Sequence, residues 1–144
     1  MNLKKENGIT LVALIIAVIL TLILIGVSVD FGTDSLKKAR LEDIKTDMIS
    51  IKTRAKIIAE QYNFKDIETL VGTEITDEEA QKLGVENSQE IRKWNSSDLS
   101  SQGLYTIEGD KYIVEYDLEN PNNSEVYYLE GYENMHSLTQ LQGL

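Results

Sequence analysis

Residues 9–29 form an unbroken apolar run, ITLVALIIAVILTLILIGVSV, with no charged residue between Glu6 and Asp30. Nothing else in the chain constrains its fold as strongly. At about 1.5 Å per residue a helix of that length matches the hydrocarbon core of a bilayer. Thr10, Thr21, Gly26 and Ser28 are small or hydroxylated residues that a membrane helix tolerates. A cleaved secretory signal has a shorter apolar region ending in small residues at its cleavage site. This run is longer, and no such site follows it. The pattern predicts a transmembrane or filament-core helix over residues 9–29 and an extracytoplasmic head over residues 30–144.

Charge sets the expected orientation. Lys4 and Lys5 flank the run on its N-terminal side, and Asp30 opens the other flank. Positive charge is retained in the cytoplasm, so the N-terminus is expected inside and the head outside. The chain has no cysteine, so no disulfide framework holds the head.

The residues ahead of the run carry a resemblance. Lys4-Lys5-Glu6-Asn7-Gly8-Ile9-Thr10-Leu11 resembles the leader and processing site of type IV prepilins and type II secretion pseudopilins. The resemblance implies that residues 1–8 are a leader, cut between Gly8 and Ile9 by a prepilin peptidase, with methylation of the new N-terminal Ile9. It further implies an extracellular filament of pilin-like subunits, an assembly platform and an ATPase that drives assembly. The family usually has Glu at the fifth mature position, where this chain has Ala13. In the family that carboxylate is thought to neutralise a neighbouring subunit's free amino group. Its absence points to a minor pilin or pseudopilin, or to assembly without that ion pair.

Beyond the anchor, Gly32 and its Asp and Thr neighbours predict a kink or short break. Helix is then expected over residues 35–62, because Leu41, Ile44, Met48, Ile51, Ala55, Ile58 and Tyr62 recur at alternating spacings of three and four. A coiled coil has the same spacing, but the stripe is short, which favours a helix lying on a sheet. Thr76 and Glu79 fit a capping box for a short helix ended by Gly84. A further helical turn is expected from Ser88 to Trp94, and a loop from Asn95 to Asp98. Trp94, the sole tryptophan, reads as a core anchor more readily than as a ligand platform. Strands are expected over residues 104–107, 112–116 and 125–129, with a tight hairpin at Glu108-Gly109-Asp110. Leu138, Leu141 and Leu144 allow a last helical turn. The fold class is therefore α+β, a long N-terminal helix packed on a small antiparallel sheet, and the resemblance implies the pilin-like roll.

Charge is unevenly divided. Residues 34–65 hold eight Lys or Arg against five Asp or Glu, whereas residues 66–144 hold four against seventeen. A basic stem and an acidic head can attract one another between subunits. The acidic head argues against direct nucleic-acid binding. No catalytic motif is present: His136 is the sole histidine, and there is no nucleophile elbow, zinc motif or P-loop. The chain reads as a structural protein, not an enzyme, with no required cofactor. Asp117, Glu119, Asn122 and Glu125, with Asn120 and Asn123, cluster enough oxygen ligands to be weak calcium candidates, although turns favour Asp and Asn for their own reasons. The competing reading is an uncleaved, signal-anchored extracytoplasmic binding or sensor domain with a ligand pocket.

Overall fold

A computed structural model describes the backbone of residues 3–144 and the side chains of residues 10–21 and 36–144. Helix α1 spans Leu3–Asn63. The short break expected near Gly32, with a separate helix over residues 35–62, is not found: α1 is continuous from Leu3 to Asn63, because a single glycine costs a helix only about 1 kcal/mol. The chain divides into two compact units, Met1–Arg40 and Leu41–Leu144.

In the first unit, residues 10–21 are exposed at every position, including Ala13. Their large apolar side chains are about half exposed, from 50 % at Ile15 to 60 % at Leu14. The Thr21 hydroxyl donates to the Ala17 carbonyl at 2.8 Å, so it offers no unpaired donor to its surroundings. Among the described residues no helix is long and apolar enough to cross a membrane. Only residues 10–21 of the apolar run have described side chains.

The second unit is α+β. Five strands, β1 (Thr73–Glu74), β2 (Ile91–Lys93), β3 (Tyr112–Glu115), β4 (Glu125–Tyr132) and β5 (Met135–Ser137), pair antiparallel in sequence order. The sheet is covered on both faces, so Tyr112, Ile113 and Val114 of β3 are buried in succession. Val114, Tyr112, Val126 and Tyr128 join the main core with Ile44, Met48, Ile51, Ala55 and Ile58 of α1. Ile113 points the other way and packs with Ile75, Ile91 and Ala80 of α2 (Asp77–Leu83). The α1 stripe thus lies on a sheet, as its brevity implied. Its ends differ: Leu41 is partly buried, and Tyr62 is 37 % exposed.

Local chemistry sets the boundaries. The Thr76 hydroxyl accepts from the Glu79 N–H at 3.1 Å, and the Glu79 carboxylate accepts from the Thr76 N–H at 3.0 Å. Gly84, at φ +71°, closes α2 in the left-handed region. A second capping box at Asn95 and Asp98 starts α3 (Ser96–Ser101), where a loop was expected. Short polar runs suit caps and loops equally, so composition alone does not separate them. Helix α4 (Leu138–Gln142) realises the last helical turn, with Leu138 and Leu141 buried and Leu144 52 % exposed.

Three expectations are corrected. Residues 104–107 are not a strand. The Leu104 N–H caps α3 through the Leu99 carbonyl at 2.9 Å, and Ile107 is buried as a loop residue. The edge of β3 that a hairpin would have used is taken by β2, with Ile91 opposite Glu115 and Lys93 opposite Ile113. Residues 91–93 are accordingly strand rather than helical turn. In place of a tight hairpin, the Asp110 N–H donates to the Trp94 carbonyl at 2.9 Å. The β4–β5 connection is a two-residue turn with Glu133 and Asn134 both at positive φ.

Candidate functional site

The processing residues come first along the chain. Lys4, Lys5, Gly8 and Ile9 fall within the span of α1, but their side chains lie outside the described residues.

In the head, the loop after β3 and the start of β4 form one wall of an open cleft of about 560 Å³. Glu90, Glu115, Asp117, Glu119 and Glu125 line it, and no Lys or Arg does. Asp117, Glu119 and Glu125 were singled out by sequence. Glu90 and Glu115 were not, because Glu90 directly precedes β2 and Glu115 ends β3, and only the pairing of those strands brings them to the loop. Asn122 does not line the cleft.

Several of these oxygens already have work. The Asn120 N–H donates to Asp117 Oδ1 at 3.0 Å, an Asx-type turn. The Asp117 N–H donates to the Ser124 hydroxyl, also at 3.0 Å, and Ser124 is fully buried. Glu125 accepts from the Val126 N–H and from the Thr139 hydroxyl, tying β4 to α4. The Tyr127 hydroxyl donates to Glu115 at 2.8 Å, and burial together with that carboxylate pushes the phenol well above its usual range. Among the described residues no group of three or more His, Cys, Asp or Glu is placed to hold a metal ion.

A smaller cavity of about 160 Å³ shares Glu90 and Leu118 with the cleft. It shares Tyr62 and Glu68 with a third, of about 570 Å³, that adds Asn63, Lys65 and Ile67. Together they make a valley past the C-terminal end of α1, where Asn63 Nδ2 donates to the Leu118 carbonyl at 2.7 Å. The first cleft is acidic, Arg92 lines the small cavity, and Lys65 and Glu68 stand with Tyr62 and Ile67 in the third.

Trp94 belongs to none of these cavities. It is fully buried and its Nε1 donates to the Tyr116 hydroxyl at 3.1 Å, so it anchors the core. His136 is half-buried beside Gly131, with Nδ1 2.8 Å from the Tyr128 carbonyl.

Comparison with protein-family models, with curated proteins and with solved structures finds no match for this chain. The class defined by the fold is an α+β head, a long helix laid on a five-stranded antiparallel meander.

Proposed function

We propose that the chain is a structural subunit of a type IV pilus-like or type II secretion-like filament, a minor pilin or pseudopilin. It enters the membrane with its N-terminus cytoplasmic, is processed between Gly8 and Ile9, and polymerises through its N-terminal helix. The observation that carries this reading is the pairing of Lys4-Lys5-Glu6-Asn7-Gly8-Ile9 with an all-apolar helix directly behind it. An apolar helix exposed all round, as residues 10–21 are, needs lipid or other helices as its surroundings. In the membrane it has lipid. In a filament, neighbouring copies would replace lipid contacts by helix contacts. The α1 stripe packed on an antiparallel sheet suits the pilin-like roll. The partners in this reading are the peptidase, the assembly platform with its ATPase, and further subunits.

The intact mass of the chain, recovered from membranes that hold a prepilin peptidase, tests this reading. A species beginning at Ile9, with or without one methyl group, supports it. A chain retaining Met1 to Gly8 overturns the processing and favours the signal-anchored binding or sensor domain. One observation favours that second reading: the acidic cleft is large enough for a small cationic ligand.

A further inference from the structure

We propose that the outward face of α1 around Ile49 and Ile57 docks into the acidic cleft of a second copy of the chain. This deepens the filament reading and rests on it.

The helix face is built for contact. Ile49 and Ile57 are 47 % and 42 % exposed, on the side of α1 opposite the buried Met48–Ile51–Ala55–Ile58 stripe. Between and beside them stand Thr46, Ser50 and Thr53. Each hydroxyl donates to the carbonyl four residues back, at 2.8, 3.0 and 2.9 Å respectively. These hydroxyl protons are already engaged, so covering the face strands no donor. The cost of desolvation is small, and two isoleucines gain burial.

Charge names the occupant. Lys52 and Lys56 stand one turn apart on one side of this face, Arg54 rims its other side, and the nearest carboxylates along the helix are Asp47 and Glu60. Among the described residues none of the three is ion-paired within its own chain. The cleft presents the complement, five carboxylates without a lining cation; beyond it the adjoining cavities bring Arg92 and then Lys65 and Glu68 beside Tyr62 and Ile67. The Lys52 and Lys56 side of the isoleucine face therefore meets the acidic cleft. Both halves belong to the same chain, so a second copy supplies what each lacks. The two patches are different surfaces, so the contact is head-to-tail. Such a contact repeats into an open helical polymer unless its rotation closes a ring. This matches the geometry a filament subunit requires.

The absence of cysteine makes the test direct. The full-length chain carrying Arg54→Cys and Glu119→Cys is assembled by its own machinery, and sheared filaments are oxidised and run without reductant. A ladder of dimers and higher species, absent from either single-cysteine chain, supports the docking. In parallel, Lys52→Glu with Lys56→Glu is expected to lower filament yield about tenfold or more, and Glu90→Lys with Glu119→Lys to restore it. Circular dichroism of each chain checks that the head is folded. Filaments of normal yield with neither the ladder nor the charge effect overturn the docking and leave the filament reading standing. A chain that stays unprocessed and outside filaments overturns the filament reading instead. The cysteine pair in concentrated detergent solution then decides the docking alone: a cross-link supports it and none overturns it.

Discussion

Changing Tyr116 to Phe removes one oxygen from the centre of the head and strands two partners. The Tyr116 hydroxyl accepts from Trp94 Nε1 at 3.1 Å and donates to the Val71 carbonyl at 2.7 Å. Trp94 is fully buried and Tyr116 is 3 % exposed, so water cannot replace the lost oxygen without opening the core. Burial pushes the Tyr116 phenol above its ordinary range and outweighs the lowering effect of the Trp94 N–H, so the neutral hydroxyl is the form that serves. Stranding a buried polar group costs about 1–3 kcal/mol. The indole N–H belongs toward the upper end, and the half-buried Val71 carbonyl toward the lower. Tyr116→Phe is therefore expected to destabilise the head by about 2–4 kcal/mol. At about 4–8 °C per kcal/mol for a domain of this size, the midpoint falls by roughly 10–25 °C. Thermal unfolding of the full chain in detergent, followed by near-ultraviolet circular dichroism, reads this loss. Trp94→Phe removes the other end of the bond. In the double variant only the Val71 carbonyl is stranded, so the two losses fall short of additivity by about 1 kcal/mol or more. A Tyr116→Phe chain within about 0.5 kcal/mol of the parent, or strictly additive losses, refutes the argument.

Three further outcomes are expected. Asp47 has its carboxyl raised by burial, partly offset by the Tyr112 hydroxyl at 3.2 Å and reinforced by Asp43. An acid whose folded-state value is raised penalises the fold only when ionised, so Asp47→Asn should raise the unfolding midpoint at pH 7 and leave it unchanged near about pH 3. Burial pushes Glu79 up, but the Thr76 N–H and Lys93 outweigh it and hold it below its ordinary 4.5. Its stabilisation is present above that value and fades as pH falls through the lowered one. Thr76→Ala, which removes the hydroxyl cap but keeps the backbone N–H to Glu79, should cost about 1 kcal/mol at neutral pH by denaturant titration. Gly84→Ala meets nothing within 4 Å and should cost only the left-handed backbone penalty, about 1–2 kcal/mol. At Gly72 the added Cβ would lie 2.5 Å from Arg92 Cβ, so Gly72→Ala should cost clearly more. Equal losses would show that β2 yields freely there.

The candidate cleft was half visible in advance. Asp117, Glu119 and Glu125 stand close in sequence, so one loop reveals them. Glu90 and Glu115 are remote from one another, and antiparallel pairing of β2 with β3 alone makes them neighbours. Helix α1 shows its cations in the sequence, Lys52 and Lys56 one turn apart on one side and Arg54 on another. Its engaged hydroxyls do not, because a Thr or Ser in a helix has other rotamers open to it.

The amino-acid sequence by itself determined what depends on near neighbours and periodicity. The apolar run, the three-four stripe of α1, the Thr76 box with Gly84, and strands β3 and β4 all rest on residues a few positions apart. Tertiary structure decided the identity of segments whose local preferences are weak. Residues 104–107 are as β-prone as β3, yet they pair with no strand, because Ile91–Lys93, in which only Ile91 is a strong strand former, occupy the edge of β3 instead. Trp94 could serve a core or a surface until the Tyr116 hydroxyl was placed against its indole nitrogen. Strand propensity measures fit to a half-buried pleated surface, and a segment acquires that surface only when a partner edge is available. Edge availability is a property of the assembled sheet, which no window of sequence contains.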